Sequence, residues 1–240
     1  MFRHRGKSRT FLHNLKLASL LSFVAGIVNV SGFFAVQTLT TNVTGHFAFF
    51  ADEVIKAEFN NALVFMSYIF SFFLGAFMSN TIIEWIQMKN PRWINVIPVT
   101  IEILILISIA LLDHKAILKH ASFVACGLLF AMGLQNALVT SISNSVVRTT
   151  HLTGLFTDLG IELSQLFFYK KPEQTKKLKS SIKLRMAIIA FFFTGCLVGG
   201  YTYLVTGMYS LLLGAACLIT GLIYDTVKFK VVTLKRRYLH

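Results

Sequence analysis

Six stretches of 17 to 24 residues, Leu17–Thr38, Asn61–Ile83, Ile94–Leu112, Ala121–Asn144, Met186–Val205 and Met208–Tyr224, are predominantly apolar and share one formal charge, Glu102. A helix crosses a hydrocarbon core in about 20 residues, with a range of about 17 to 25. No water reaches the backbone inside a bilayer, so segments of this kind must satisfy their own hydrogen bonds as helices. Composition agrees: 55% of the 240 residues are AVILMFWYC, 14% are DEKR, and only 3 are Pro. A soluble monomer is excluded on those numbers. The expected class is an all-α polytopic membrane bundle. Cys126, Cys196 and Cys217 fall inside apolar stretches, where a thiol packs as a small hydrophobe, and imply no disulfide framework.

The net charge of +13 would suggest nucleic acid in a soluble protein, but here the cations sit between apolar stretches. They read as topology signals and as attraction to anionic lipid headgroups on the cytoplasmic face. With a cytoplasmic N-terminus, 20 of the 23 Lys and Arg fall inside, leaving Lys56, Lys115 and Lys119 outside. The split predicts an even number of crossings with both termini cytoplasmic. It does not separate six crossings from eight. Length favours six, because His46–Phe59 is short and carries Asp52, Glu53, Lys56 and Glu58.

The two halves repeat. Thr40-Thr41-Asn42-Val43-Thr44-Gly45-His46-Phe47 recurs as Thr149-Thr150-His151-Leu152-Thr153-Gly154-Leu155-Phe156 at an offset of 109, and Glu53 pairs with Glu162 at the same offset. Gly26-x-x-Asn29 matches Gly133-x-x-Asn136 upstream, and Phe72-Phe73-Leu74-Gly75 matches Phe192-Phe193-Thr194-Gly195 downstream. Each half reads as a long span, a TTxxTG segment, a short re-entrant or interfacial helix, and two further spans. Three crossings per half invert the second copy, an arrangement in which transporters build a midplane site at the repeat interface. The expected layout is a basic cytoplasmic N-terminus (1–16), a first three-helix repeat (17–112), a second (121–224) with a basic cytoplasmic loop at 169–185, and a basic tail (225–240).

Candidate site residues follow from this pattern. Thr41, Thr44 and Gly45, their copies Thr150, Thr153 and Gly154, and His151 beside them place hydroxyls and a chain break at the end of a long apolar helix. Thr is a good N-cap, so a helix is expected to start near Thr44 and near Thr153. Asn29, Gln135 and Asn136 are polar inside apolar stretches and either line a site or bond neighbouring helices. Glu102 stands mid-span, where an ionisable group costs roughly 2.5 to 3.5 kcal/mol and marks a proton or ion path or a hydrogen bond to another helix. Asp158, Glu162 and Gln165 form one polar stripe at i, i+4 and i+7, which lines a cavity or floats at the interface. Ser71, Gly75, Ser79 and the pair Gly195, Gly199 have the small-xxx-small spacing of packed helices.

Other chemistry has no footing. His46 and His151 are single histidines, with no HExxH or CxxC for a metal, and no cofactor motif, Walker loop or GxSxG occurs, so an enzyme is not expected.

The motifs Ala25-Gly26-Ile27-Val28-Asn29, Thr44-Gly45, Gly133-Leu134-Gln135-Asn136-Ala137 and Arg148–Gly154 running into Thr157-Asp158-Leu159-Gly160-Ile161-Glu162-Leu163 resemble the YoaK family of bacterial multi-pass membrane proteins. The resemblance spans about Leu17 to Tyr224. It implies a bacterial inner-membrane location and six spans, and no established activity. The chain departs from the family pattern at Asn29 and His46, where Asp and Asn are usual. That leaves Glu102 and Glu162 as the coupling candidates. The leading expectation is a permease for a small solute bound between the repeats, with Glu102, Asp158 or Glu162 carrying a proton or ion. The rival is a membrane scaffold or signalling partner. No nucleic acid is expected, and oligomerisation stays open.

Overall fold

The computed structural model describes residues 10–89, 94–143 and 145–237. The cations Arg3, Arg5, Lys7, Arg9 and Arg92, and Asn144 at the end of the fourth apolar stretch, lie outside the described residues. All regular structure among those described is helical: α1 (Phe11–Val36), α2 (Val43–Ile55), α3 (Phe59–Lys89), α4 (Val96–Ala110), α5 (His114–Lys119), α6 (Ala121–Ser143), α7 (Leu152–Phe168), α8 (Pro172–Thr206) and α9 (Ser210–Arg237). A capping box starts α1, where the Thr10 side chain accepts from the His13 amide and the His13 ring from the Thr10 amide. Gln37, in the left-handed region at φ 53°, ends it.

Four segments are long and apolar enough to cross a membrane: Phe11–Val36, Phe59–Met88, Ala121–Ser143 and Pro172–Val227. The last holds both α8 and α9, separated by a 3-10 turn over Gly207–Tyr209 in which Gly207 takes φ 63°. The third apolar stretch forms only the 15 residues of α4, because Asp113 accepts from the Lys115 amide and starts α5. The expected loop at 169–185 is helical from Pro172, which occupies the first turn of α8 with Glu173. Both are favourable there, the proline because its missing N–H is not needed, the carboxylate because it faces the positive end of the dipole.

Contacts fix the helix directions. Phe34 meets Tyr203 and Gly26 meets Phe192, so α1 and α8 run the same way. Ser67 meets Cys126 and Gly75 meets Phe130 and Leu134, so α3 and α6 also run together. Gln135 reaches Leu21 while Gly32 faces Leu128, which makes α6 antiparallel to α1. Lys16 bonds Tyr224 at 3.3 Å and Ser31 bonds Ser210 at 2.8 Å, so α9 is antiparallel to α1 and its far half returns to the end where α1 began.

Exchanging α1 with α6, α2 with α7, α3 with α8 and α4 with α9 maps packed pairs onto packed pairs. The α1–α8 contact becomes α6–α3, α2–α3 becomes α7–α8, and α1–α9 becomes α6–α4. Glycines set the two closest crossings. A methyl at Gly26 would overlap the Phe192 carbonyl and one at Gly195 the Phe23 carbonyl. In the other pair, Gly133 lies against the Phe72 carbonyl and Gly75 against that of Phe130. Small residues let backbones touch where lipid supplies no hydrophobic drive between helices.

Leu17, Leu21 and Val28 of α1 and Leu128, Met132 and Leu138 of α6 are fully buried, so these two helices form the centre. Phe70, Phe73 and Phe77 of α3 and Phe193, Leu197 and Leu204 of α8 point outward. An apolar exterior of that extent suits lipid.

Candidate functional site

After α1 the chain folds back on itself. The Thr41 amide and hydroxyl both donate to Asn29 Oδ1, at 3.2 and 2.9 Å. Asn29 stands seven residues before the end of α1, so the loop returns about 10 Å along the helix. After α6 the same fold-back recurs: Asn136 Nδ2 donates to Thr150 Oγ1 at 2.5 Å, and Asn136 lies seven residues before the end of α6. Thr40 and Thr149 are fully buried beneath these turns, each with its hydroxyl unpartnered. Asn29 and Asn136 thus act as latches on the two TTxxTG segments.

The helices that follow begin before the motif threonines. Asn42 caps α2, its Oδ1 accepting from the Gly45 amide at 3.0 Å, and His151 occupies the N-cap of α7. A carboxamide suits this role as well as a threonine hydroxyl does. In each half the cap side chain lies over the motif glycine: a methyl at Gly45 would stand 2.5 Å from Asn42 Nδ2, and one at Gly154 would meet the His151 ring. Glycine at both positions leaves room for these side chains. Freed from capping, Thr44 and Thr153 are exposed and line one cavity of about 900 Å3 together with Thr41, Thr150 and Asn136. Its volume lies within the usual range of small-molecule sites, about 300 to 1,000 Å3.

The cavity also recruits residues that sequence reasoning missed: Phe72 and Asn80 from α3, Thr140 and Ser141 from α6, and Arg148 from the turn before α7. Arg148 carried a signal, being the lone Lys or Arg between Lys119 and Lys170. Asn80 carried a weaker one, a carboxamide in an apolar stretch.

Other candidates lie elsewhere. Gln135 is buried and donates to the Leu21 carbonyl at 2.6 Å, tying α6 to α1. Glu102 is buried in α4 with neither oxygen hydrogen-bonded, away from the cavity wall. Asp158 and Glu162 face Arg185 of α8. The Arg185 fork donates to Glu162 through Nε at 2.9 Å and a terminal nitrogen at 3.1 Å, its other terminal nitrogen lies 2.9 Å from Asp158, and the Ser181 hydroxyl donates to Glu162 at 2.6 Å. The matching Glu53 accepts from Asn61 at 3.3 Å. Asn61 and Ser181 are separated by the same number of residues as Gly75 and Gly195, so each glutamate ties its short helix to the equivalent point of the next long one. His46, in a helix of 13 residues, bonds the Leu39 carbonyl and packs on Tyr68. Burial, opposed by the Leu39 bond, holds its imidazole below the ordinary value, so it packs as a neutral ring. No three His, Cys, Asp or Glu cluster as a metal site among the described residues.

A second cavity, of about 960 Å3, adjoins the first through Ser145, Arg148 and His151 and is bounded by α7 and the start of α8.

Residues 17–224 match the model of a family described as a protein of unknown function, DUF1275. The chain is 23% identical over 178 residues, 73% of its length and 78% of the relative's, to the UPF0700 transmembrane protein YoaK of Bacillus subtilis (strain 168). No solved structure matches it.

Proposed function

Because the chain belongs to the DUF1275 family of membrane proteins, whose description carries no activity, its role has to be read from the cavity, and we propose that it is a permease for a small solute. One observation carries this reading: a single cavity of about 900 Å3 is lined by both TTxxTG segments, one from each half. A scaffold has no need of a polar cleft framed by two copies of one motif. The antiparallel α1 and α6, and the exchange of packed pairs, support two inverted repeats, and the break at Gly207 supports counting α8 and α9 as separate crossings. On this reading six spans cross the inner membrane with both termini cytoplasmic. The latched turns bring both motifs toward the midplane, where inverted-repeat transporters bind their cargo.

Thr44 and Thr153 contact the solute, Asn29 and Asn136 position the turns, and Gln135 fixes the contact between the halves. With Asp158 and Glu162 held by Arg185, Glu102 is the coupling group on this reading.

Thermal shifts of the purified protein across a metabolite panel test the proposal. At least one solute stabilises the wild type, and Thr44→Val and Thr153→Val each weaken the response. No response from any solute, or responses unchanged in both variants, defeats it. Reporter tags after Phe47 and after Phe156 appear on opposite sides of the membrane if the repeats are inverted.

A further inference from the structure

The walls of both cavities carry an excess of cations. On the first, the ionisable side chains are Arg148 and His151, and no carboxylate stands among its described lining residues. Arg148 has no hydrogen-bond or ion-pair partner among the described residues. On the second wall stand Arg148, Lys176, Lys177 and Arg185 against Asp158 and Glu173. Arg185 is taken up by Asp158 and Glu162, which leaves Arg148, Lys176 and Lys177 facing Glu173. Charge of one sign in a low-dielectric cleft concentrates counter-ions there.

Arg148 belongs to both walls and stands where they join. It is not part of the repeat, since its place in the first half is taken by Leu39. A guanidinium without a partner, lining one cavity with the hydroxyls of Thr44 and Thr153 and the amide of Asn80, suits the fork geometry and lone pairs of a carboxylate or phosphate. A cationic solute would meet no compensating group there.

We propose that the solute is a small oxyanion, a carboxylate or phosphate, drawn in past Lys176 and Lys177 and paired with Arg148 between the two TTxxTG segments. This rests on the permease reading and narrows it to a substrate class.

The test uses full-length protein in phosphatidylcholine nanodiscs at pH 7.5, with succinate, lactate and inorganic phosphate set against glucose, glycerol and choline. At least one anion binds saturably and the other three probes do not. Arg148→Gln, which removes an exposed side chain and leaves the solute-free midpoint unchanged, weakens anion binding about tenfold or more. Arg148→Lys loses less, because the charge stays while the fork is lost. Neutralising Lys176 and Lys177 slows association at low salt and has little effect at high salt. Anion binding unchanged in Arg148→Gln overturns the proposal. So does binding of glucose or choline that depends on Thr44 and Thr153 without any anion response, an outcome that leaves the permease reading standing. Arg148-dependent stabilisation by phosphatidylglycerol with no effect of the soluble anions assigns Arg148 to a lipid headgroup and also overturns it. Silence from every probe overturns the oxyanion proposal, and the permease reading falls with it only when the metabolite panel is silent too.

Discussion

Gly133→Ala measures how far the fold depends on the two backbone crossings. Two effects compete. Alanine is favoured over glycine inside a helix by about 0.8 to 1.0 kcal/mol. Against that, the new methyl at Gly133 would overlap the Phe72 carbonyl and crowd the Ala76 amide, both backbone atoms that no rotamer change can move. An ordinary carbon–oxygen contact needs about 3.3 to 3.6 Å, so α6 and α3 must part by about an ångström along their shared face. Overpacking costs about 1 to 3 kcal/mol, and an immovable backbone obstacle puts this site at the upper end. The net expectation is a loss of about 2 kcal/mol, or roughly 4 to 8 °C for a chain of this size. Gly160→Ala is the control: it lies in α7 with nothing within 4 Å of the added carbon, so only the propensity gain remains and stability rises by up to about 1 kcal/mol. Unfolding in detergent can be followed through the thiols of Cys126, Cys196 and Cys217, all partly buried and free. Gly26→Ala, at the equivalent crossing of α1 on α8, should fall by a similar amount. A Gly133→Ala variant as stable as wild type, or a Gly160→Ala variant less stable, would refute the reasoning.

Three further outcomes follow from the same geometry. Asn29→Leu removes the acceptor of two hydrogen bonds and Asn136→Leu the donor of one, so at about 1 kcal/mol per bond the first variant should unfold earlier than the second in a side-by-side melt. Arg185→Leu strands the half-buried Glu162 and should cost about 1.5 to 3 kcal/mol by thermal unfolding, with Glu162→Gln in the same background recovering part of the loss. Glu102→Met removes two buried oxygens without partners and should raise stability by about 1 to 3 kcal/mol, and Glu102→Gln should remove any dependence of uptake on a proton gradient. A drop in stability for Glu102→Met would mean that the carboxyl is held by a group it must not lose.

The apolar stretches and the doubled motif made most of the helices readable in advance, because a bilayer leaves the backbone few alternatives and a repeat states each element twice. The gaps have local causes. Asp113 cuts the third stretch short through a cap that hydropathy does not register, and Pro172 begins a helix inside what charge alone marks as a loop. Asn42 takes the capping role assigned to Thr44, since position in the turn decides the cap among residues of similar propensity, and His151 stands at the N-cap of α7 without a side-chain cap bond. In the cavity, the threonines were legible from duplication, whereas Arg148 and Asn80 break the repeat, and comparing halves conceals what only one half possesses.

That asymmetry bears on how a repeat with matched folds can favour one direction of opening. The first half holds α2 to α3 through an amide, Asn61 to Glu53, and the second holds α7 to α8 through a guanidinium gripping two carboxylates. Both ties end on an ionised carboxylate, but only the second also has a charged donor, which makes it the more sensitive to a competing anion or to salt. If the helices exchange roles during transport, the barrier on the α7 side is set by Arg185 and should fall as ionic strength rises, while the α2 side should respond little. Cysteine-accessibility rates in Ser180→Cys and Asn60→Cys, neighbours of Ser181 and Asn61 that leave both ties in place, give the comparison from low to high salt. Equal salt dependence at the two positions would show that the ion pair is a static brace rather than the latch of the second half.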